Sequence, residues 1–258
     1  MHNSVAHSVS KVPEITLAFW FTKILATTLG ETGGDAVSMS MDLGYLVSTG
    51  IFAVIFFIAV GAQISAKRYN PALYWTTIIA TTTVGTTLAD FADRSLGMGY
   101  AGGSTLLFLL LMGSFLVWYK FQGNIAASDI SSSRTEMFYW ITIMFSQTLG
   151  TALGDWVADD GGFGYTGSMV LFGGILLAIV ATYLLTRVSR TLLFWAAFII
   201  TRPLGAVVGD FLDKPLGKGG LELSRYSASA ALLAAIALLV YLSTLKKRDV
   251  IPQELDPE

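Results

Sequence analysis

Long apolar runs, broken by short polar and glycine-rich stretches, recur along the whole chain. A helix that crosses a bilayer needs about 20 mostly apolar residues, and eight such runs fit with little chain left over. They come in two kinds. One kind carries threonines, glycines and an acid towards its C-terminal end, and predicts helices over 14–35, 71–92, 135–157 and 191–212. The other is almost wholly apolar, and predicts helices over 45–66, 100–119, 165–186 and 223–245. The expected fold class is an all-α membrane protein.

The two kinds alternate because the chain repeats. Trp20, Trp75, Trp140 and Trp195 are each followed ten residues later by Gly30, Gly85, Gly150 and Gly205, and five later again by Asp35, Asp90, Asp155 and Asp210. The segments read "WFTKILATTLGETGGD", "WTTIIATTTVGTTLAD", "WITIMFSQTLGTALGD" and "WAAFIITRPLGAVVGD". Successive tryptophans stand 55, 65 and 55 residues apart. The organisation predicted is an N-terminal tail (1–13), a first half of two repeats (14–119), a polar linker (120–133), a second half (134–245) and a C-terminal tail (246–258). The connections contain "LGY", "MGY" and "FGY" in the first three repeats and "LGKGG" in the fourth.

On these tryptophans and this Gly-to-Asp spacing, the chain resembles a family of bacterial integral membrane proteins built from four tandem two-helix repeats, known as "membrane-anchored" proteins of unassigned function. The resemblance covers roughly residues 14 to 245. It implies the eight-helix organisation and no activity. The repeat spacing and the bias of Lys and Arg between the two faces lead to the expectation of eight transmembrane helices in four parallel two-helix repeats with a pseudo-fourfold, two-by-two arrangement.

Composition agrees. Hydrophobic residues make up 53% of the 258 and charged ones only 13%, with a mean hydropathy of +0.63. There is no basic tract, so nucleic acid is not an expected partner. There is no cysteine, and the two histidines, His2 and His7, lie in the tail. Disulfides, haem attachment and Cys/His metal sites are thereby disfavoured. No nucleophile elbow, P-loop, HExxH or dinucleotide fingerprint is present, so neither an enzyme nor a resident cofactor is expected. The first apolar run leads into the motif rather than into a small-residue cleavage site, unlike a cleaved signal peptide.

Lys11, Lys67, Arg68, Lys120, Arg134, Arg187, Arg190, Lys246, Lys247 and Arg248 fall on one face, against Arg94, Lys214, Lys218 and Arg225 on the other. The positive-inside rule makes the first face cytoplasmic. The expected location is the bacterial inner membrane, with both termini inside. The outer face is acidic and should concentrate cations.

The chemistry lies in the motif helices. Gly30/Gly34, Gly85/Ala89, Gly150/Gly154 and Gly205/Gly209 are small-xxx-small pairs that let backbones approach in lipid. Trp20, Trp75, Trp140 and Trp195 read as packing residues, and Tyr45, Tyr100 and Tyr165 as an interfacial belt. Helical spacing aligns Thr28, Glu31 and Asp35; Thr83, Thr86, Asp90 and Asp93; and Thr148, Thr151 and Asp155. The fourth repeat adds Asp210 and Asp213. Such oxygen stripes suit a hard cation or a proton relay. Asp35, Asp90, Asp155 and Asp210 are the candidate metal-coordinating quartet, converging on an enclosed polar chamber.

Lys23 and Arg202 fall deep within their helices, where a charge costs at least about 2.5–3.5 kcal/mol. Each is expected to find a carboxylate partner or a wet cavity and to act as a counter-charge. Pro203 is expected to kink or open its helix. Gln147 stands at the position of Arg202 in the third repeat, and Thr27 and Thr82 in the first two. One level is thus polar in every repeat and different in each, as an asymmetric substrate would require.

The function expected is a secondary transporter or exporter of a small cation, divalent and proton-coupled, with the lipid bilayer, the cation and protons as partners. A homo-oligomer is compatible with this. The alternatives are a non-transporting scaffold or signalling protein, which the short tails disfavour, and a passive cation channel, which Lys23 on the axis would obstruct.

Overall fold

The computed structural model describes residues 10–249, with side chains as far as Leu245. His2, His7 and the side chains of Lys246, Lys247 and Arg248 lie outside the described residues. Eight long helices follow one another: α1 (Leu17–Asp35), α2 (Gly44–Ser65), α3 (Pro71–Asp90), α4 (Gly99–Gln122), α5 (Ser133–Asp155), α6 (Gly164–Leu185), α7 (Arg190–Asp213) and α8 (Arg225–Asp249). Polar side chains start four of them. Thr16, Asn70, Ser132 and Ser189 accept from backbone N–H groups of α1, α3, α5 and α7, which satisfies donors the helix itself cannot.

The odd-numbered helices form the interior. Gly30 of α1 faces Thr82 of α3, Gly85 of α3 faces Gln147 of α5, Gly150 of α5 faces Arg202 of α7, and Gly205 of α7 faces Thr27 of α1. Each motif glycine thus receives the residue three positions before the next repeat's glycine, and the fourth repeat closes onto the first. The contacts climb together. Gly34 meets Thr86, Gly154 meets Ala206, and Gly209 meets Glu31, so neighbouring inner helices run parallel. The backbones come so close that a Cβ on Gly209 would lie 2.6 Å from Cβ of Glu31.

The outer helices obey the same cyclic rule. Each packs on the inner helix of the following repeat: α2 on α3, α4 on α5, α6 on α7, and α8 back on α1. Thr32 and Ser229 hydroxyls, 2.8 Å apart, tie α1 to α8. The distribution of polarity is the reverse of a soluble bundle. Thr22, Lys23, Thr27, Glu31 and Asp35 of α1 are buried, whereas Leu46, Phe57, Leu109, Leu177 and Leu184 of the outer helices are exposed. Lipid makes this arrangement stable, because apolar surface costs nothing there while unpaired polar groups cost several kcal/mol. Among the described residues five helices, α2, α4, α6, α7 and α8, are long and apolar enough to cross a membrane. The remaining three, α1, α3 and α5, are inner helices whose threonines, acids and Lys23 lower their hydropathy.

Past the motif aspartate the first three inner helices widen into one π-helical turn, Ala36–Ser40, Phe91–Ser95 and Trp156–Asp160. Met41, Leu96 and Gly161 N–H groups reach back five residues to Ala36, Phe91 and Trp156 carbonyls. Gly44, Gly99 and Gly164, the glycines of "LGY", "MGY" and "FGY", then take positive φ of 72°, 67° and 60°, a conformation glycine adopts at no steric cost. The fourth repeat departs from this pattern. Its connection is pinned to α7 by Leu221 N–H on Phe211 O and Leu223 N–H on Leu212 O.

α7 is continuous from Arg190 to Asp213, so Pro203 does not open its helix. Lys11, before α1, is buried and donates to Glu136 at 2.7 Å and to Ile64 O at 3.1 Å. In the polar linker, Ala127 and Ile130 are buried in one cluster with Trp118 and Tyr139.

If the glycine contacts set the assembly, Gly205→Leu should destabilise the purified protein by about 1–3 kcal/mol or more, as overpacking does. Gly50→Leu should be nearly neutral, since nothing lies within 4 Å of that position on α2. Thermal unfolding in detergent measures both. Equal effects would contradict the packing account.

Candidate functional site

The cyclic packing stacks equivalent residues in layers around one axis. At the N-terminal end of the inner helices lies an aromatic layer. Phe19 packs on Trp75 with ring centroids 5.6 Å apart, Tyr74 on Trp140 at 5.7 Å, Tyr139 on Trp195 at 6.0 Å and Phe194 on Trp20 at 5.9 Å. Each repeat's aromatic residue meets the next repeat's tryptophan. The Tyr74 and Tyr139 hydroxyls share a buried hydrogen bond of 2.7 Å. Trp75, Trp140 and Trp195 are buried, and Trp20 is half-buried.

Next comes Lys23, with Ile78, Ile143 and Phe198 at the equivalent positions, all buried. Among the described residues the Lys23 ammonium has no hydrogen-bond acceptor and no carboxylate; it lies 3.8 Å from the centroid of the Phe198 ring. The expectation of a carboxylate partner therefore fails for Lys23. The acids lie further along α1, and the equivalent positions of the other repeats, Ile78, Ile143 and Phe198, are apolar.

One turn further, Thr27, Thr82, Gln147 and Arg202 occupy equivalent positions, all buried. Gln147 has no partner at either end of its amide among the described residues. The Arg202 guanidinium reaches into the following layer. There its Nη2 donates to Glu31 at 3.1 Å, to Thr86 at 2.6 Å and to Thr151. Thr86 and Thr151 stand at the position of Glu31 in their own repeats, so one arginine collects the same position from three helices. Thr28, Thr83 and Thr148 do not contribute. Their hydroxyls donate to Ile24 O, Ile79 O and Met144 O of their own helices, the usual back-bonding of a mid-helix threonine.

The four motif aspartates form the last layer, and all are buried. Basic side chains bridge them in pairs. Arg94 bridges Asp90 (3.2 Å) and Asp155 (3.1 Å). Lys214 bridges Asp210 (3.0 Å) and Asp35. Arg94 and Lys214 stand four residues after the motif aspartate in repeats two and four, and each holds its own aspartate and that of the next repeat. Met39 and Asp159 fill the position in the other two. Arg225 pairs with Asp213 at 2.7 Å and lies 3.7 Å from Asp35. Burial works against the Lys214 ammonium, but Asp210, Asp35 and Asp213 around it outweigh that and hold its pKa well above a free lysine's. Asp93 lies apart from the ring, against Gly103 of α4. Burial pushes its pKa up to about 6 while Arg94 pulls the other way. Tyr45 and Tyr100 are not simply interfacial. Arg94 donates to the Tyr45 hydroxyl at 3.0 Å, and the Tyr100 hydroxyl donates to Asp159 at 3.1 Å.

The acids that come together differ from the predicted quartet. Carboxylate oxygens of Glu31, Asp35 and Asp210 lie within 4.8 Å of one another, and all three residues are buried. Asp90 and Asp155 belong to the Arg94 side. The Asp→Arg/Lys spacing of four residues in repeats two and four is the sequence signal for Arg94 and Lys214.

The fold is thus an all-helical repeat protein with a polar interior and helices suited to a membrane. The chain belongs to the family described as Repeat of Unknown Function (DUF347), whose model matches it four times, over residues 18–69, 73–124, 138–189 and 193–249. No curated protein and no solved structure shows significant similarity.

Removing one partner of a buried ion pair leaves the other charge stranded and costs about 3–5 kcal/mol. Arg202→Met should therefore destabilise strongly, and Glu31→Gln added to it should recover much of the loss. Thermal unfolding of the two single variants and the double variant gives the coupling. Additive losses would contradict the pairing.

Proposed function

We propose that this protein is an integral membrane secondary transporter of a small hard cation, coupled to protons, in which Glu31, Asp35 and Asp210 take the cation. The carrying observation is the meeting of those three buried carboxylates beside the Lys214 ammonium. Lys214 stands where a substrate cation would stand. An incoming divalent ion offers the acids more charge than the tethered ammonium and displaces it. Oxygen donors alone suit Mg²⁺, Mn²⁺ or Ca²⁺ rather than a soft metal.

All eight helices cross the membrane in this reading, in a pseudo-fourfold bundle. The aromatic end, with most Lys and Arg outside the bundle, faces the cytoplasm. A passive pore fits less well, because Lys23, Arg202 and the aromatic layer block the axis. The Arg94 and Lys214 bridges close the opposite end, and their release and re-formation separate two states, as alternating access needs. Glu31, held by Arg202, is the acid best placed to exchange a proton for the cation when that pair opens.

Flux into liposomes tests this with Mg²⁺, Mn²⁺, Ca²⁺ and Na⁺ in turn, with and without a pH gradient. One of them should be carried with counter-movement of protons. Asp35→Asn and Asp210→Asn should each lower uptake about tenfold or more, as loss of a ligand does. Lys214→Gln should tighten apparent affinity while impairing turnover. Absence of flux for every ion, or unchanged flux in both aspartate variants, would defeat the proposal.

A further inference from the structure

Between α3 and α8, at the aromatic end of the bundle, the surface opens into a slot of about 460 Å³. One wall is the start of α3, from Asn70 through Trp75 to Ile79. The other is the later part of α8, from Leu233 through Tyr241 to Thr244. At 1.5 Å per residue these walls are about 14–17 Å long, close to one leaflet's share of a hydrocarbon core about 30 Å thick. The slot follows from the cyclic packing. α8 docks on α1, and the Thr32–Ser229 hydroxyl pair holds it near its start, while its later turns pass α3 with the slot between them. Trp75 and Ile236, both buried, belong to the lining, so the slot reaches the packed interior. Ala72 and Ala237, both exposed, leave it open to the surrounding lipid.

The lining says what fills it. Asn70, Tyr241 and Thr244 gather at the mouth, and beyond them Thr76 is the one polar residue of the lining. Water finds too few partners in such a place, and empty space forfeits dispersion contacts. A hydrocarbon chain supplies them. The mouth is also basic. Lys67 and Arg68, both exposed, come just before Asn70 on the α2–α3 connection, and α8 runs on past Thr244 through Lys246, Lys247 and Arg248. Five of the ten bases counted at this end of the bundle therefore flank one slot. A topological bias towards Lys and Arg asks only that they lie on that side of the membrane, not that they gather at two neighbouring helix ends. The acids beside them are Glu14, close enough to Tyr69 to act on it, and Asp249 at the end of α8, so the described residues leave a positive balance there.

We propose that this slot is a binding site for one anionic phospholipid. An acyl chain lies between α3 and α8, and the headgroup phosphate is held at the mouth by Lys67, Arg68 and the bases that end α8, with the Asn70 amide and the Thr244 hydroxyl as donors. Positive charge near a membrane surface favours such a headgroup over a zwitterionic one. The lipid fills the gap where the last repeat passes the second, and so braces the closed ring. The site needs a membrane around the protein but no transported ion.

The test is thermal unfolding of the purified full-length protein, stripped of lipid in a nonionic detergent and titrated with phosphatidylglycerol, phosphatidylcholine or glycerol phosphate. Phosphatidylglycerol should raise the midpoint by about 3–6 °C for each tenfold increase once the site begins to saturate. It should do so at concentrations about tenfold or more below those phosphatidylcholine needs. Glycerol phosphate, which lacks the chain, should have no effect. Lys67→Gln with Arg68→Gln should move the phosphatidylglycerol response to about tenfold higher concentration. Ala237→Phe, which fills the slot and keeps every base, should abolish it; Ala72→Leu fills the slot from the α3 wall if that variant does not fold. Native mass spectrometry should find one phosphatidylglycerol retained by the wild type and none by the filled variant. Equal responses to the two lipids, or a response unchanged in the charge and filling variants, would overturn the proposal and leave only the general lipid coat. A response to glycerol phosphate would overturn it in favour of a plain anion site. So would a dimer whose formation removes the response, which would put a second copy in the slot.

Discussion

The structure depends on one contact made four times: a motif glycine receiving a side chain of the next repeat. In lipid, apolar surface drives no association between helices, so close backbone approach and polar pairing must do it. Gly30, Gly85, Gly150 and Gly205 permit that approach, and their guests are Thr82, Gln147, Arg202 and Thr27. Because the last guest comes from the first repeat, the contacts form a closed cycle. A bulky residue at one glycine would push apart two helices and open the ring, not merely disturb one joint.

Closing the ring turns polar faces inward, and the charges then have to be matched. The chain answers with repeats that are equivalent in backbone and unequal in side chain. Position 31 and its equivalents hold a glutamate, two threonines and an alanine, and a single arginine gathers the first three. The position four past the motif aspartate is basic in alternate repeats, so Arg94 and Lys214 each bind two aspartates. The layer therefore has a two-by-two rather than a fourfold charge pattern. One half, with Glu31, Asp35 and Asp210 together, differs from the half that holds Asp90 and Asp155. In the proposed transport reading, this asymmetry lets the site favour one ion and one protonation state.

Much of the architecture was legible because it rests on spacing. The Trp–Gly–Asp register located the inner helices, and the nearly pure apolar runs located the outer ones. Spacing along a single helix could not show which face meets which neighbour. Thr28 and Glu31 share a helical stripe, yet Thr28 bonds back to Ile24 O while Glu31 crosses to Arg202. The cyclic offset of three residues between glycine and guest is a property of two helices together. Of the two expectations for Lys23, a carboxylate or a wet cavity, the carboxylate is not met among the described residues, and the ammonium lies over the Phe198 ring. The contacts of Lys11 and of the linker are made with segments distant in the chain, which spacing does not reveal.

The closed cycle can be probed through its most distant contact, where α8 returns to α1. The chain has no cysteine of its own, so a pair introduced at Thr32 and Ser229, whose hydroxyls lie 2.8 Å apart, has no competitor. Thr32→Cys with Ser229→Cys, oxidised in native membranes, should form an intramolecular disulfide nearly completely and leave a monomeric band of altered mobility. No cross-link, or cross-links only between separate molecules, would mean that the last repeat does not close on the first, and the layered interior described above would not exist.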